Sequence, residues 1–203
     1  PGIITIGGGD SVLKPGFSFW LLGLLFIAFA LRLFQLDAQS IWWVEGISLH
    51  LATSEIPEIV RDRLNNIHPP LYFLGLKSWL WATGVSAFNA RYFSVLAGWL
   101  QVAVIFAIAR RWFSLRTAYV AGILATFSAV SVIYSQEIRV YALLPLIYLS
   151  LLAITRELTR PSLSGKIEGS GLWISLGLAT WIGLHLHYIT LFILLYAAAW
   201  ALI

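Results

Sequence analysis

The sequence predicts an all-α fold, a polytopic transmembrane helix bundle with short juxtamembrane helices in a large first extracytoplasmic loop. Composition gives the first reason, because 60% of the 203 residues are hydrophobic and 11% are charged. Soluble domains contain about 45–50% apolar and about 25% charged residues. The second reason is a series of apolar runs of near-span length, and the third is one long polar stretch, Gln35–Pro70, that interrupts them.

The first apolar run extends from Phe17 to Phe34, which is long enough to cross a bilayer with help from its flanks. Arg32 lies near its far end, where a long aliphatic stem allows the charge to snorkel to the interface. Residues 1–16 are polar and Gly-rich, and we expect them to form a flexible N-terminal segment.

The polar stretch carries five of the nine acidic residues and two of the four histidines. Two short amphipathic helices are predicted within it, over Ile41–Ala52 and Ile56–Ile67, with Ser54 as the N-cap of the second. The next segment, Pro70–Gly84, is apolar but contains Lys77 and is too short for a span. It therefore favours an interfacial or re-entrant helix.

The remaining apolar runs are predicted spans, and Pro145 is expected to bend one of them. The last run stops in mid-span, so residues 17–203 are expected to be the N-terminal part of a longer transmembrane domain. The predicted spans are Tyr92–Ala109, Ala118–Tyr134, Val140–Thr155, Gly171–His185 and Ile189–Ile203.

Loop charges predict the topology. The loops Arg110–Arg116 and Arg156–Lys166 carry six bases and one acid, and basic short loops face the cytoplasm. This assignment gives five crossings if Pro70–Gly84 does not cross, and it collects the polar turns on the opposite face. The net charge of +4 is spread over several loops, so we expect no nucleic-acid partner.

The outer face then gathers the residues that could do chemistry. A carboxylate there could deprotonate an acceptor hydroxyl or amine, while arginine and histidine could hold the charge of a phosphate. Neither a resident metal nor a cofactor is expected; a divalent cation has weak support, because His185 and His187 lack the i, i+4 spacing of helical metal ligands. The candidates are Glu45, His50, His68, Arg91, Glu137, Arg139, Tyr141, His185, His187 and Tyr188.

Several of these residues also have structural interpretations. Arg91 suits a snorkelling interface residue equally well, and His68 before two prolines also indicates a helix start. Glu137 and Arg139 could pair with each other, although two residues apart they do not share a helix face, which favours a common partner.

Four parts of the chain resemble a known family. They are QSIWWVEGISLHLA, NNIHPPLYFLGLKSWL, the run from Asn89 to Leu144 with its motif YSQEIRVY, and GLHLHYITLF. From about Leu31 onward the chain resembles the bacterial glycosyltransferases related to protein O-mannosyltransferases. These belong to the GT-C class, together with the aminoarabinose transferase that modifies lipid A.

The resemblance implies a GT-C-like bundle in a bacterial inner membrane with its active site facing outward. It implies transfer of a sugar from a polyprenyl-phosphate carrier to a protein, lipid or glycan acceptor. The family pattern Trp-x-Asp-Glu falls on Trp42 to Glu45, where Val44 replaces the first acid, the family's catalytic base. Glu45 matches the second acid and is the predicted catalytic residue, either as a base with altered geometry or as the remnant of an inactive or divergent member.

The same resemblance assigns the other site residues to the donor phosphate or the cavity. His68 falls on the HPP motif near the carrier phosphate. The remaining residues of this set are Arg91, Glu137, Arg139, Tyr141, His187 and Tyr188.

Two other functions stay open. A transporter or lipid-binding membrane protein would use Glu137 and Arg139 in a permeation path, but it should carry ionisable residues near mid-span and an inverted repeat. The ionisable residues here lie at predicted span ends, and the sequence shows no repeat. A non-catalytic relative of the transferases is the second alternative, and Val44 favours it.

Overall fold

The computed structural model describes residues 15–64, 66, 68–160 and 170–202. Over these residues the chain forms α-helices joined by short turns and one 3-10 turn, Val140–Ala142, and contains no strand. The all-α prediction is therefore confirmed. The helices are α1 (Pro15–Leu33), α2 (Trp43–Thr53), α3 (Ile56–Leu64), α4 (Leu71–Thr83), α5 (Ala87–Trp112), α6 (Leu115–Phe127), α7 (Ala129–Ser135), α8 (Leu144–Thr159), α9 (Ser170–Leu186) and α10 (Thr190–Ala201).

Two helical segments in the described part of the chain are long and apolar enough to cross a membrane, Ala87–Trp112 and Val140–Thr159. A third is obtained if α6 and α7, which meet at an angle of 56°, are counted as one broken span. Phe19–Leu33, α9 and α10 are apolar but shorter. These lengths fit a membrane protein, whereas the five crossings and the outward face stay predictions.

Helix α5 is the centre of the bundle. It packs against α1, α6, α7, α8 and α4, while α8 also packs against α9 and α10. A separate apolar core joins α2, α3 and α4 to the end of the bundle, with Ile59, Leu76 and Ile138 fully buried in it. The polar stretch is thus a folded layer on the bundle rather than a connector.

The helices predicted as juxtamembrane, α2, α3 and α4, lie close to their predicted places in the chain. Helix α4 has 13 residues and ends at Gly84, whose φ of +90° favours glycine. One detail of the prediction is wrong, because Ser54 caps the end of α2 rather than the start of α3. Its backbone N–H and its hydroxyl both donate to the His50 carbonyl, each at 3.0 Å.

The predicted span Ala118–Tyr134 is broken at Ser128 instead of continuous. The Ser128 hydroxyl accepts a hydrogen bond from the Ser131 N–H at 3.3 Å and so caps α7. Arg32 lies against this break, and its guanidinium donates to the Ala125 carbonyl at 3.2 Å and to the Ser131 hydroxyl at 2.9 Å. Arg32 is completely buried, so the prediction that it snorkels is wrong.

Pro145 lies near the start of the predicted span rather than in its middle. It lies in the first turn of α8, directly after the 3-10 turn, where its missing N–H leaves no helical hydrogen bond unmade. Residues 1–14 of the predicted flexible segment 1–16 lie outside the described residues. The last two residues of that segment belong to α1, which begins at Pro15. Lys166, which contributed to the predicted topology, also lies outside them.

Candidate functional site

A buried ion pair joins α2 to α5. The Glu45 carboxylate accepts two hydrogen bonds from Arg91, from Nε to Oε1 at 3.0 Å and from Nη2 to Oε2 at 2.7 Å. The two residues are 1% and 3% exposed, respectively. Parallel two-armed contacts of this kind fix geometry as well as charge.

Every hydrogen-bond donor of the Arg91 guanidinium is bonded to an acceptor within the protein. Besides Glu45, the guanidinium donates to the carbonyls of Leu36 and Gln39 at 2.9 Å and to the Ser40 carbonyl at 3.3 Å. A guanidinium has five N–H groups, and all of them are used here. Arg91 therefore holds the turn between α1 and α2, and no donor remains for a phosphate.

The Glu45 carboxylate has a further bond that reaches the segment after α7. The Ile138 N–H donates to Oε1 at 3.1 Å. Gln136 fastens the same segment to the end of α1, since its amide donates to the carbonyls of Arg32 at 3.2 Å and Phe34 at 2.9 Å. Glu45 and Gln136 together position the backbone that carries Arg139.

A narrow cavity of about 60 Å³ opens between helices α2, α3 and α4 and this segment. Arginine, imidazole, hydroxyl and apolar groups line it, and no carboxylate among the described residues does so. The lining residues are Val44, Ile47, Ser48, Arg63, His68, Tyr72, Phe73, Arg139, Val140, Tyr141 and Leu186. Three of the predicted residues, His68, Arg139 and Tyr141, line this cavity.

Arg139 is held by aromatic neighbours rather than by Glu137. Its Nη2 donates to the Tyr141 hydroxyl at 3.0 Å, and its guanidinium carbon lies 4.5 Å from the centre of the Tyr141 ring. The Trp42 ring lies 6.0 Å from the same carbon. The other guanidinium N–H groups can therefore meet an anion in the cavity.

His68 and His187 form an edge-to-face pair with ring centroids 5.0 Å apart. The Nδ1 of His187 accepts a hydrogen bond from the Ile189 N–H at 3.1 Å. Burial lowers the pKa of both imidazoles, and for His68 the neighbouring His187, Arg139 and Arg63 lower the pKa further. At neutral pH both rings are neutral, with N–H groups that can donate to a phosphate oxygen.

Glu137 lies beside the cavity residues in the chain but does not line the cavity. Its Oε2 is buried and has no hydrogen-bond partner in the described part of the protein. Burial raises the pKa of this carboxyl group, and the nearby Glu45 raises the pKa as well, while Arg139 lowers it. A desolvated carboxylate with a free oxygen has the properties of a general base.

Arg63 is a cavity residue that the sequence interpretation missed. It is 6% exposed, forms an ion pair with Asp62, and lies over the Phe73 ring at 5.0 Å. One signal was available: Arg63 follows the buried Ile59 by four residues and therefore shares its helix face.

The other predicted residues lie elsewhere. Glu45 and Arg91 do not line the cavity, because both are engaged in the buried ion pair. Tyr188 is exposed, and the Nδ1 of His185 lies 2.8 Å from the Trp181 carbonyl within α9. His50 is exposed on α2. Among the described residues no group of three or more His, Cys, Asp or Glu side chains is arranged to hold a metal ion.

A wider open groove of about 700 Å³ adjoins the cavity, with Ile47 and Arg63 lining both. Its walls combine the indoles of Trp42 and Trp43 with the carboxylates of Glu58 and Asp62. Indole faces and carboxylate oxygens suit the apolar faces and hydroxyl groups of a sugar.

Comparisons with protein families, with characterised proteins and with solved structures found no match for this chain.

Proposed function

We propose that this chain is part of a bacterial inner-membrane glycosyltransferase. It would move a sugar from a polyprenyl-phosphate carrier to an acceptor outside the cytoplasm. The observation that supports this function best is the cavity where Arg139, Arg63 and His68 converge without a carboxylate among the described residues. The reaction itself is proposed from the resemblance of the HPP and YSQEIRVY segments to GT-C enzymes.

The cavity suits the phosphate of the carrier. Its volume of about 60 Å³ is far below the roughly 300–1,000 Å³ of pockets for whole small ligands. It therefore fits a headgroup fragment, which Arg139 and His68 would hold by charge-assisted and imidazole hydrogen bonds. The sugar would extend into the adjoining groove beside Trp42 and Trp43.

The chemistry would be a displacement at the anomeric carbon. The acceptor oxygen forms a bond to this carbon, the bond from the carbon to the phosphate oxygen breaks, and the carrier phosphate leaves with the electron pair. Arg139 and Arg63 stabilise the charge that develops on the leaving phosphate. The acceptor proton passes to a carboxylate, for which we propose Glu137, two residues before Arg139. Its Oε2 is buried and unpaired among the described residues, so the side chain would have to turn toward the cavity to act.

In this proposal Glu45 is a positioning residue rather than the base. Its oxygens are occupied by Arg91 and the Ile138 N–H, and its side chain is buried. It acts on the cavity through the backbone that precedes Arg139.

One observation favours a second function, a carrier-lipid-binding protein without transferase activity. Val44, at the position of the family's catalytic base, lines the cavity. A cavity with cations but with valine at this position would bind the phosphate without activating an acceptor.

Binding of undecaprenyl phosphate to the purified chain in detergent tests the shared part of both functions. Arg139→Gln should weaken this binding about tenfold or more, since a hydrogen bond to a charged group contributes about 1.5–3 kcal/mol. Arg116→Gln is the matched control, because it removes an exposed arginine that does not line the cavity. Equal binding by the wild type and Arg139→Gln would exclude the cavity as the phosphate site.

Transfer separates the two functions. Wild-type chain is incubated with radiolabelled undecaprenyl-phosphate-linked sugar and bacterial membranes, and label is followed into lipid, glycan and protein fractions. Incorporation that is lost in Arg139→Gln supports the transferase. Carrier binding without incorporation supports the binding protein.

A further inference from the structure

An apolar groove between α1 and α5 ends at two arginines. It has a volume of about 490 Å³ and lies away from the phosphate cavity. Its lining residues are Leu21, Leu25, Ala103, Phe106, Ala107, Arg110 and Arg111. Ala103 and Ala107 are four residues apart and therefore lie on the same face of α5. Because their side chains are small, a channel stays open between this face and the leucines of α1.

The shape of this groove suits a hydrocarbon chain. From Ala103 to Arg110 helix α5 rises about 10 Å, which is the length over which apolar side chains line the groove. Every lining side chain other than the two arginines is apolar. A free inorganic anion would gain nothing from such walls, whereas an acyl chain would bury its surface against them.

The mouth of the groove is lined by Arg110 and Arg111 and lies in an arginine-rich part of the chain. Arg111 donates to both oxygens of Glu157, at 3.1 and 2.7 Å, and Arg160 lies 3.3 Å from the same carboxylate. Arg156 lies over the Trp112 ring at 4.6 Å. One acid therefore serves two arginines, and the stretches 110–116 and 156–160 contain five arginines and only this acid.

We propose that this groove is a binding site for an anionic phospholipid of the surrounding bilayer. One acyl chain lies along Leu21, Leu25 and Ala103, and the phosphate meets Arg110 and Arg111. Basic pockets between membrane helices are suited to acidic lipid headgroups, because charge and apolar burial act together there. This proposal is independent of the proposed transferase function.

Native mass spectrometry of the detergent-purified chain tests the proposal. The protein is mixed with equal amounts of phosphatidylglycerol and phosphatidylcholine that carry the same acyl chains. We expect retention of phosphatidylglycerol in preference to phosphatidylcholine. The preference should fall about 25-fold in the double variant Arg110→Gln/Arg111→Gln, at about fivefold for each arginine near a membrane surface.

Two control variants separate lipid contact from structural damage. Glu157→Gln breaks the ion pair with Arg111 but leaves both groove arginines, so it should keep or increase the preference for phosphatidylglycerol. Arg116→Gln removes an arginine that does not line the groove and should keep the wild-type preference.

A third variant tests the apolar wall. Ala107→Trp fills the groove and should reduce retention of phosphatidylglycerol severalfold although both arginines remain. Leu195→Trp places the same ring on the exposed face of α10, where Leu195 is 59% exposed, and should have no effect. Equal binding of both lipids by the wild type, or undiminished phosphatidylglycerol binding by Ala107→Trp, would overturn the proposal.

Discussion

The Arg91 guanidinium and the Glu45 carboxylate face each other in the protein interior through two hydrogen bonds of 3.0 and 2.7 Å. The same carboxylate accepts the Ile138 N–H, one residue before Arg139 in the chain. Movement of this pair would therefore displace both the turn that Arg91 holds and the cavity wall that Arg139 forms. The pair makes the polar loop and the cavity parts of one structure.

Glu45→Gln should lower the free energy of unfolding by about 3–5 kcal/mol, because it leaves the buried Arg91 charge without its partner. Titration of the purified chain with sodium dodecyl sulfate, followed by circular dichroism, measures this loss. Glu157→Gln is the matched control. Its arginine partner Arg111 is largely exposed, and surface pairs contribute only about 0–1 kcal/mol. Equal effects of the two substitutions would contradict the structural role of Glu45.

Much of the helical layout could be predicted from the sequence. The amphipathic stretches gave α2 and α3 nearly in place, and the short apolar segment with Lys77 gave α4. Both signals depend on local periodicity and run length. The break at Ser128 could not be predicted in this way, because the apolar pattern continues through it. Its stabilisation by Arg32 comes from a contact 93 residues away in the chain.

The site was predicted in part for a similar reason. His68, Arg139 and Tyr141 were expected at one cavity because loop charges placed them on one face and the family resemblance assigned them to the donor phosphate or the cavity. Glu45 and Arg91 were assigned to the same face, and only their side-chain directions separate them from the cavity. Such directions depend on packing between distant helices, which neither motif nor spacing specifies.

His68 and His187 should make the protein less stable in acid. Burial lowers the pKa of His68 and His187 below the ordinary value of 6.5, so the folded protein resists their protonation more than the unfolded chain does. Stability is therefore complete above pH 6.5 and is lost as the pH falls from 6.5 through the lowered values. Thermal unfolding at pH 5 to 8 should show this decline in the wild type.

The double variant His68→Asn/His187→Asn should flatten that pH profile. His50→Asn removes an exposed histidine and leaves the cavity intact, so the decline should persist in it. A decline of full size in the double variant would show that other groups cause the acid sensitivity.

Glu137→Gln should preserve stability at pH 7 while it removes the proposed base. Burial raises the pKa of this carboxyl group above the ordinary value of 4.5, so its charged form in the folded state costs stability as the pH rises through the raised value. The neutral amide avoids this cost. We expect an unchanged or higher melting temperature, retained binding of undecaprenyl phosphate and loss of sugar transfer. Normal sugar transfer by Glu137→Gln would exclude Glu137 as the base. Glu55→Gln, which changes an exposed acid, is the control and should keep wild-type transfer.

Val44→Asp should test whether the missing acid at position 44 limits sugar transfer. Val44 lines the cavity beside Arg139 and His68, so aspartate there would supply the acid that the GT-C pattern Trp-x-Asp-Glu contains. General-base catalysis contributes about 10²–10⁴-fold, and we expect at least about a tenfold increase in sugar transfer. Val44→Asn has similar size without the charge and should give no increase. Equal rates in both variants would contradict a catalytic role for position 44.

Gly98→Ala should destabilise the contact between α5 and α7. A methyl group at Gly98 would overlap the Ser135 hydroxyl and lie 2.8 Å from the Ser135 Cβ, and Arg32 Nε is only 3.2 Å from the same point. Overpacking of this kind costs about 1–3 kcal/mol. Gly23→Ala is the control on α1, since nothing lies within 4 Å of its added methyl group and alanine favours the helix. Unfolding in detergent should show a lower free energy of unfolding for Gly98→Ala but not for Gly23→Ala. The loss should be recovered when Ser135→Gly is added to Gly98→Ala. A loss of equal size in Gly23→Ala would show that the effect is not due to helix packing.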